Sequence, residues 1–240
     1  MSNESISGIR PTDGADIYPL YTHWKGIVPF PPGPLLWSVG GATLEEFLVV
    51  GDAWGQLICR FCPEAATVLE IGCGCGRATR VLLNNPWIKR YIGFDIIPAN
   101  IEWCNNFLAP AWRNGTAEFL HYDLYSGEYN PNGAIKTTDF RFPCQDGQAD
   151  VIIAGSIFTH LLEPDAVHYL RESARVLSTR GHALFSIHTA VAPDENFKGN
   201  ETRIDMKMEY FLELAAAAGL QEASRLDDLA GQQVVIFRKA

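Results

Sequence analysis

The stretch Val68-Leu69-Glu70-Ile71-Gly72-Cys73-Gly74-Cys75-Gly76-Arg77 decides how the rest of the chain is read. Ala66 to Ile71 is an apolar run with the length of a buried strand, and a glycine then falls at every second position. Glycine lets the backbone bend sharply and lets a ligand approach it with no Cβ in the way. Gly76 to Leu83 reads as a helix with Ala78, Val81 and Leu82 on one side, stopped by Asn84-Asn85-Pro86. A glycine turn that follows a strand and opens a helix is the setting in which such a pattern points to a nucleotide-like ligand. Tyr91 to Phe94 is the next strand, ending at Asp95, nineteen residues after Gly76. A carboxylate there can accept hydrogen bonds from the ribose hydroxyls of an adenosine cofactor.

Strands and helices alternate beyond this turn. Asn100 to Leu108 is helical and Ala117 to His121 is a third strand. Val151 to Ala154 is a fourth strand and Pro164 to Leu177 a helix, with Pro164 suited to its first position and Gly181 past its end. Ala183 to Ile187 is a fifth strand, and Tyr210 to Ala218 a helix closed by Gly219. Two more strands, around 221–225 and 233–238, are joined by a short link. Strands separated by helices of about ten residues imply βαβ crossovers and a parallel sheet. The expected fold is a doubly wound, Rossmann-like α/β sheet. It is mostly parallel, with helices on both faces and one antiparallel strand near the C-terminus. The polar stretch 125–147 carries turn signals at Asn130-Pro131-Asn132-Gly133 and Asp146-Gly147.

Upstream of the turn, Thr43-Leu44-Glu45-Glu46 matches a capping box. Phe47, Leu48 and Val50 give that helix an apolar face, Gly51 is its expected stop, and Asp52 to Phe61 is a second helix. Residues 1–42 are rich in proline, glycine and aromatics, including Tyr18, Tyr21 and Trp24. Prolines disfavour regular helix there; the aromatics suggest an arm that packs on something, such as the site, and a partly disordered leader is the other reading. The chain therefore divides into an arm, 1–42, and an α/β domain, 43–240.

Composition narrows the function. At 240 residues, 47% hydrophobic and 20% charged, the chain is a globular protein with a full core. A net charge of −9 with no Lys/Arg run disfavours nucleic acid as partner, because phosphate contacts supply most of a nucleic-acid binder's affinity. No apolar run approaches a membrane span, Met1 to Arg10 is polar, and a cytoplasmic location is expected. Six scattered cysteines form no disulfide framework. Cys59 and Cys62 make one CxxC, without the second pair or the histidines that a zinc site needs, so no metal is expected.

The glycines are spaced GxGxG, not the GxGxxG of dinucleotide folds, and Glu70 precedes them by two residues. This resembles motif I of the class I S-adenosylmethionine-dependent methyltransferases. Tyr91-Ile92-Gly93-Phe94-Asp95 looks like that family's second strand with its ribose-binding acid. Arg175-Val176-Leu177 resembles its "RVLKPGG" helix end, although Ser178-Thr179-Arg180 departs from it, and Gly219-Leu220 resembles its closing "aGL". The resemblance spans roughly 43–239. It implies S-adenosylmethionine as methyl donor. It further implies that Glu70, Gly72, Gly74 and Gly76 shape the methionine and ribose pocket, that Asp95 with Ile96 holds the ribose, and that Asp123 and Leu124 frame the adenine. Ala154, Gly155 and Ser156 would then lie near the sulfonium.

Methyl transfer is an in-line displacement in which alignment does much of the work. A hydroxyl acceptor also needs its proton removed, and histidine is the usual base near neutral pH. His160, in Ser156-Ile157-Phe158-Thr159-His160 after strand four, is the first candidate, and His188 at the end of strand five the second. His121 is expected to be structural and His168 to lie at the surface of its helix; nothing places His23. The acceptor expected is a small molecule, such as a sugar or secondary metabolite. Two other readings stay open: a nicotinamide-dependent oxidoreductase, and a domain that binds cofactor without turnover.

Overall fold

The computed structural model describes residues 28–41 and 43–240; Tyr18, Tyr21, His23 and Trp24 lie outside the described residues. The strands are β1 (Ala66–Ile71), β2 (Ile88–Asp95), β3 (Thr116–His121), β4 (Ala149–Ala154), β5 (Leu177–Ile187), β6 (Phe197–Asn200), β7 (Arg203–Met206), β8 (Leu220–Leu229) and β9 (Gln232–Lys239). Seven of them form one sheet in the order β3-β2-β1-β4-β5-β9-β8, and β6 and β7 pair separately. The pairs from β3 through β5 are parallel, whereas β9 runs antiparallel to both β5 and β8. The sheet is therefore of the expected kind, with one reversed strand close to the C-terminus. The order reverses between β1 and β4, and in such sheets ligands bind at the carboxyl ends of the strands at this point.

The core explains why β1 and β4 read as unbroken apolar runs. Leu69 and Ile71 join one buried layer and Val68 the other, as do Ile152 and Ala154 against Val151 and Ile153. A strand covered on both faces has no polar side to alternate with. The covering helices include α2 (Leu44–Phe61), α3 (Thr79–Leu82), α4 (Pro98–Trp103), α5 (Glu163–Val176) and α6 (Met208–Ala217); α1 (Gly33–Ser38) precedes them.

Several boundaries differ from the sequence reading, each for a local reason. The capping box forms, with Glu46 N donating to Thr43 Oγ1 and Thr43 N to Glu46 Oε2, both at 3.1 Å. Gly51 does not stop the helix: α2 runs on through it for 18 residues. Gly51 is there for close packing, since a Cβ would collide with the carbonyl oxygen of Arg77. Gly55, one turn on, would collide with Val81 in the same way. The helix after the glycine turn begins at Thr79, not Gly76, because Gly74 and Gly76 adopt φ of +54° and +81°, which no right-handed helix contains. Helix α1 forms despite its prolines, since Pro34 falls in the first turn, where a missing N–H costs nothing. Gly181 lies inside β5. His168 is half-buried, with its Nε2 2.6 Å from the carbonyl oxygen of Phe140. The β6–β7 hairpin was not anticipated.

Alanine in place of a helical glycine ordinarily stabilises by ~0.5–1 kcal/mol. At Gly51 we expect the opposite sign, a loss of about 1–3 kcal/mol from overpacking. Denaturant unfolding of Gly51→Ala reads the sign directly, and a stabilised variant would contradict the close approach of α2 to the glycine turn.

Candidate active site

A cavity of about 460 Å³ opens at the carboxyl ends of β1, β2, β4 and β5. That is within the ~300–1,000 Å³ of small-molecule and cofactor sites. Gly72 and Gly74 line it, and both have positive φ, +65° and +54°. A Cβ on Gly72 would collide with Ile157, and one on Gly74 with Val39, so the backbone is bare where it meets the cavity.

Asp95 closes the turn from the neighbouring strand. Its Oδ2 accepts from Gly74 N and its Oδ1 from Ile97 N, each at 2.8 Å. Burial pushes its carboxyl up and these backbone amides pull it back, with burial winning. Each oxygen keeps lone-pair capacity for a further donor.

Glu70 is 6% exposed. Its Oε2 accepts from Tyr91 Oη at 2.6 Å and from Thr79 Oγ1 at 3.1 Å. Burial lifts its carboxyl to about 7, against the pull of those two hydroxyls and of the Arg77 charge. Arg77 itself donates to Val39 O at 2.6 Å, and Cys75 Sγ to Leu35 O at 3.4 Å. The α1 segment is thereby tied to the glycine turn, and Trp37 and Val39 reach the cavity wall.

On the far side of the switch point, Ser156 sits at φ +60°, a conformation that costs roughly 1–2 kcal/mol for a residue with a Cβ. Its N–H donates to Ser186 Oγ at 2.7 Å. Ser186 Oγ donates to Gln232 Oε1 at 2.6 Å, and Gln232 Nε2 returns a bond to Ser156 Oγ at 2.9 Å. The reversed strand β9 thus holds the turn after β4. His160 and His188 both open on the cavity. Burial, then the charge of Arg203, holds His188 below its ordinary range, so it is neutral at pH 7. His121 is exposed, its Nε2 3.3 Å from Ile96 O.

The structure brings Glu70, Gly72, Gly74, Asp95, Ile96, Leu124, Gly155, Ser156, His160 and His188 onto one wall system. Three of the residues named from the sequence are not on it. Ala154 is buried in the core. Gly76 packs instead against Leu108, whose side chain occupies the place of its Cβ. Asp123 turns its carboxylate into its own loop, accepting from Asn130 Nδ2 at 2.9 Å and Ala134 N at 3.2 Å. Gln232, Trp37 and Tyr129 line the cavity and escaped the sequence reading. They come from β9, from a proline-rich segment and from a turn-rich loop, where no spacing rule marks a site. All six cysteines are free thiols, and burial lifts Cys62 and Cys75 to about 12.

The methyltransferase domain family matches residues 69–185, from inside β1 to inside β5. Solved structures of the same fold include a TehB-like SAM-dependent methyltransferase from Corynebacterium glutamicum, 19% identical, with a TM-score of 0.56 over 95% of this chain and 100% of that one. Another is the Burkholderia thailandensis 1,6-didemethyltoxoflavin-N1-methyltransferase, solved with 1,6-didemethyltoxoflavin and S-adenosylhomocysteine. It is 17% identical, with a TM-score of 0.60 over 96% of this chain and 91% of that one. The glycine turn, the seven-stranded order and the family match over residues 69–185 together make this chain similar to the S-adenosylmethionine-dependent methyltransferases. It is an enzyme of that kind, and S-adenosylmethionine is its methyl donor.

Glu70 yields a pH prediction. Its folded value, about 7, lies above the ordinary 4.5. Its contribution to stability is therefore full below pH ~4.5 and is lost as pH rises through ~7. Glu70→Gln, which cannot ionise, should gain on the wild type between pH 5 and 8 by an amount on the order of 3 kcal/mol. Unfolding midpoints that track each other across that range would contradict the buried neutral acid.

Proposed function

We propose that the enzyme methylates a hydroxyl of a small, uncharged acceptor, such as a sugar or a secondary metabolite, with His160 as the general base. The observation that carries this reading is the position of His160 and His188 on the same cavity as the glycine turn and Asp95. When bound, S-adenosylmethionine supplies a methyl group already activated by the positive sulfonium. The chain's own task is then to hold the acceptor in line and take its proton.

The residues fit that donor. Gly72 and Gly74 present bare backbone where a Cβ would be blocked. Asp95 offers buried carboxylate lone pairs to the ribose hydroxyls. Ile96 and Leu124 give apolar contact for the adenine, while Asp123 orients the loop that carries Leu124. Glu70 anchors the methionine end from beneath, and Gly155 and Ser156 lie beside the sulfonium. Gly76 serves packing.

Among the described residues, the acidic and basic side chains on the cavity wall, the two histidines apart, are Glu70, Arg77 and Asp95, all on the glycine-turn side. The remaining wall is built from residues such as Tyr125, Tyr129, Leu229 and Gln232. That lining suits a neutral acceptor and offers no cation to a phosphate. Together with the net charge of −9, it argues against nucleic acid as substrate. A small-molecule acceptor also agrees with the 1,6-didemethyltoxoflavin bound in the Burkholderia enzyme. Among the described residues no helix is long and apolar enough to cross a membrane. We place the enzyme in the cytoplasm on its six free thiols. We also divide the chain into an arm, 1–42, and a catalytic domain, 43–240. The bonds from Arg77 and Cys75 to Val39 and Leu35 support an arm that closes one side of the cavity.

Calorimetric titration with S-adenosylmethionine, S-adenosylhomocysteine and NAD should give heat for the first two alone. Asp95→Ala should weaken S-adenosylhomocysteine binding about tenfold or more, as a hydrogen bond to a charged group is worth ~1.5–3 kcal/mol. Unchanged affinity removes its ribose role. A screen of small hydroxyl compounds with methyl-labelled donor identifies the acceptor. His160→Gln should then lower turnover by roughly 10²–10⁴-fold while donor affinity stays the same. Full activity in that variant excludes His160 as base.

A further inference from the structure

The imidazole of His160 is held at both nitrogens. Its Nδ1 lies 2.8 Å from the carbonyl oxygen of Glu201, and its Nε2 lies 3.3 Å from Tyr129 Oη. A carbonyl oxygen can only accept, so the proton of the neutral ring sits on Nδ1. Nε2 then carries the lone pair, and the tyrosine hydroxyl donates to it. The two rings meet edge to face, with centroids 5.2 Å apart, and Tyr129 and His160 both line the cavity.

Glu201 occupies the two-residue turn of the β6–β7 hairpin. Its carboxylate Oε2 accepts from Ser126 Oγ at 3.0 Å and from Glu128 N at 3.2 Å. Ser126 Oγ accepts in turn from Tyr129 N at 3.2 Å. One residue therefore grips the ring of His160 through its main chain and the loop of Tyr129 through its side chain. Gly127 permits that approach, since a Cβ there would lie 3.1 Å from Glu201 Oε2. The hairpin is itself docked against the site, as Ile204 N donates to Thr159 O and Met206 N to His188 O, each at 2.8 Å.

We propose that Glu201 is the positioning residue that readies His160 as a base, and that the Tyr129 hydroxyl occupies the place at Nε2 that the acceptor hydroxyl takes. This rests on the reading of His160 as the general base. The acceptor's O–H proton passes to Nε2, giving an imidazolium whose Nδ1–H stays on the Glu201 carbonyl. The acceptor oxygen forms its bond to the methyl carbon as the carbon–sulfur bond breaks, and that electron pair returns to sulfur, leaving a neutral thioether. Tyr129, displaced from Nε2, remains at the cavity wall as a contact for the acceptor.

The test reads the imidazole nitrogens directly and needs no acceptor. Protein labelled with ¹⁵N-histidine, with and without S-adenosylhomocysteine, is examined by long-range ¹H–¹⁵N correlation under alkaline conditions. The His160 signals are identified by their loss in His160→Gln. The proposal expects a protonated Nδ1 and a pyridine-like Nε2. Tyr129→Phe should move the Nε2 resonance and leave Nδ1 protonated. Glu201→Ala, which frees the Tyr129 loop, should move Nε2 likewise or mix the two tautomers. Glu201→Gln keeps an acceptor oxygen and should restore the wild-type pattern. A proton on Nε2 in the wild type, or a Glu201→Ala spectrum identical to wild type, overturns the proposal. Failure of donor binding or methyl transfer would strike the functional reading alone, because the tautomer is read without turnover.

Discussion

The Asp95 carboxylate lies between two backbone amides, Gly74 N and Ile97 N, and the site depends on that arrangement. It ties the glycine turn after β1 to the end of β2. Burying a carboxylate is costly unless hydrogen bonds satisfy it. Here the amides supply two of those bonds and leave capacity on the cavity side. The same bonds hold a turn whose glycines sit at positive φ, so one carboxylate both shapes the bare backbone and faces the ligand space beside it.

The surrounding elements serve that turn. Gly51 and Gly55 let α2 lie against Arg77 and Val81. Leu108 fills the space that Gly76 leaves open. The α1 segment is fastened to the turn through Val39 and Leu35. Opposite, β9 reaches across the sheet with Gln232 to hold Ser156 in its left-handed conformation. The reversed strand therefore has a local function as well as completing the sheet. The β6–β7 hairpin holds the ring of His160 through the carbonyl of Glu201.

Much of this was legible in the sequence because it rests on short-range rules. The β1 run, the glycines and Asp95 follow from strand burial, tight turning and a fixed crossover length. The capping box at Thr43 follows from four adjacent residues. What escaped depends on contacts far apart in the chain. Gly51 reads equally well as a helix stop or as a packing position, and only the path of the Arg77 backbone decides between them. Asp123 and Leu124 are neighbours, yet Asn130 draws the carboxylate of the first into its loop while the second faces the cavity. Phe197 to Met206 carries Lys198, Gly199, Asn200, Glu201 and Thr202 in a row. The exposure of that hairpin's first strand removes the alternation by which a strand is recognised.

The central claim is that a bare glycine bend and the Asp95 carboxylate meet around one adenosine, with the transferable methyl facing His160. A crystal structure with S-adenosylhomocysteine tests it most directly. The account predicts both ribose hydroxyls within hydrogen-bonding distance of Asp95 and the sulfur turned toward Ser156 and His160. A ribose bound away from Asp95, or a sulfur facing away from both histidines, would contradict it.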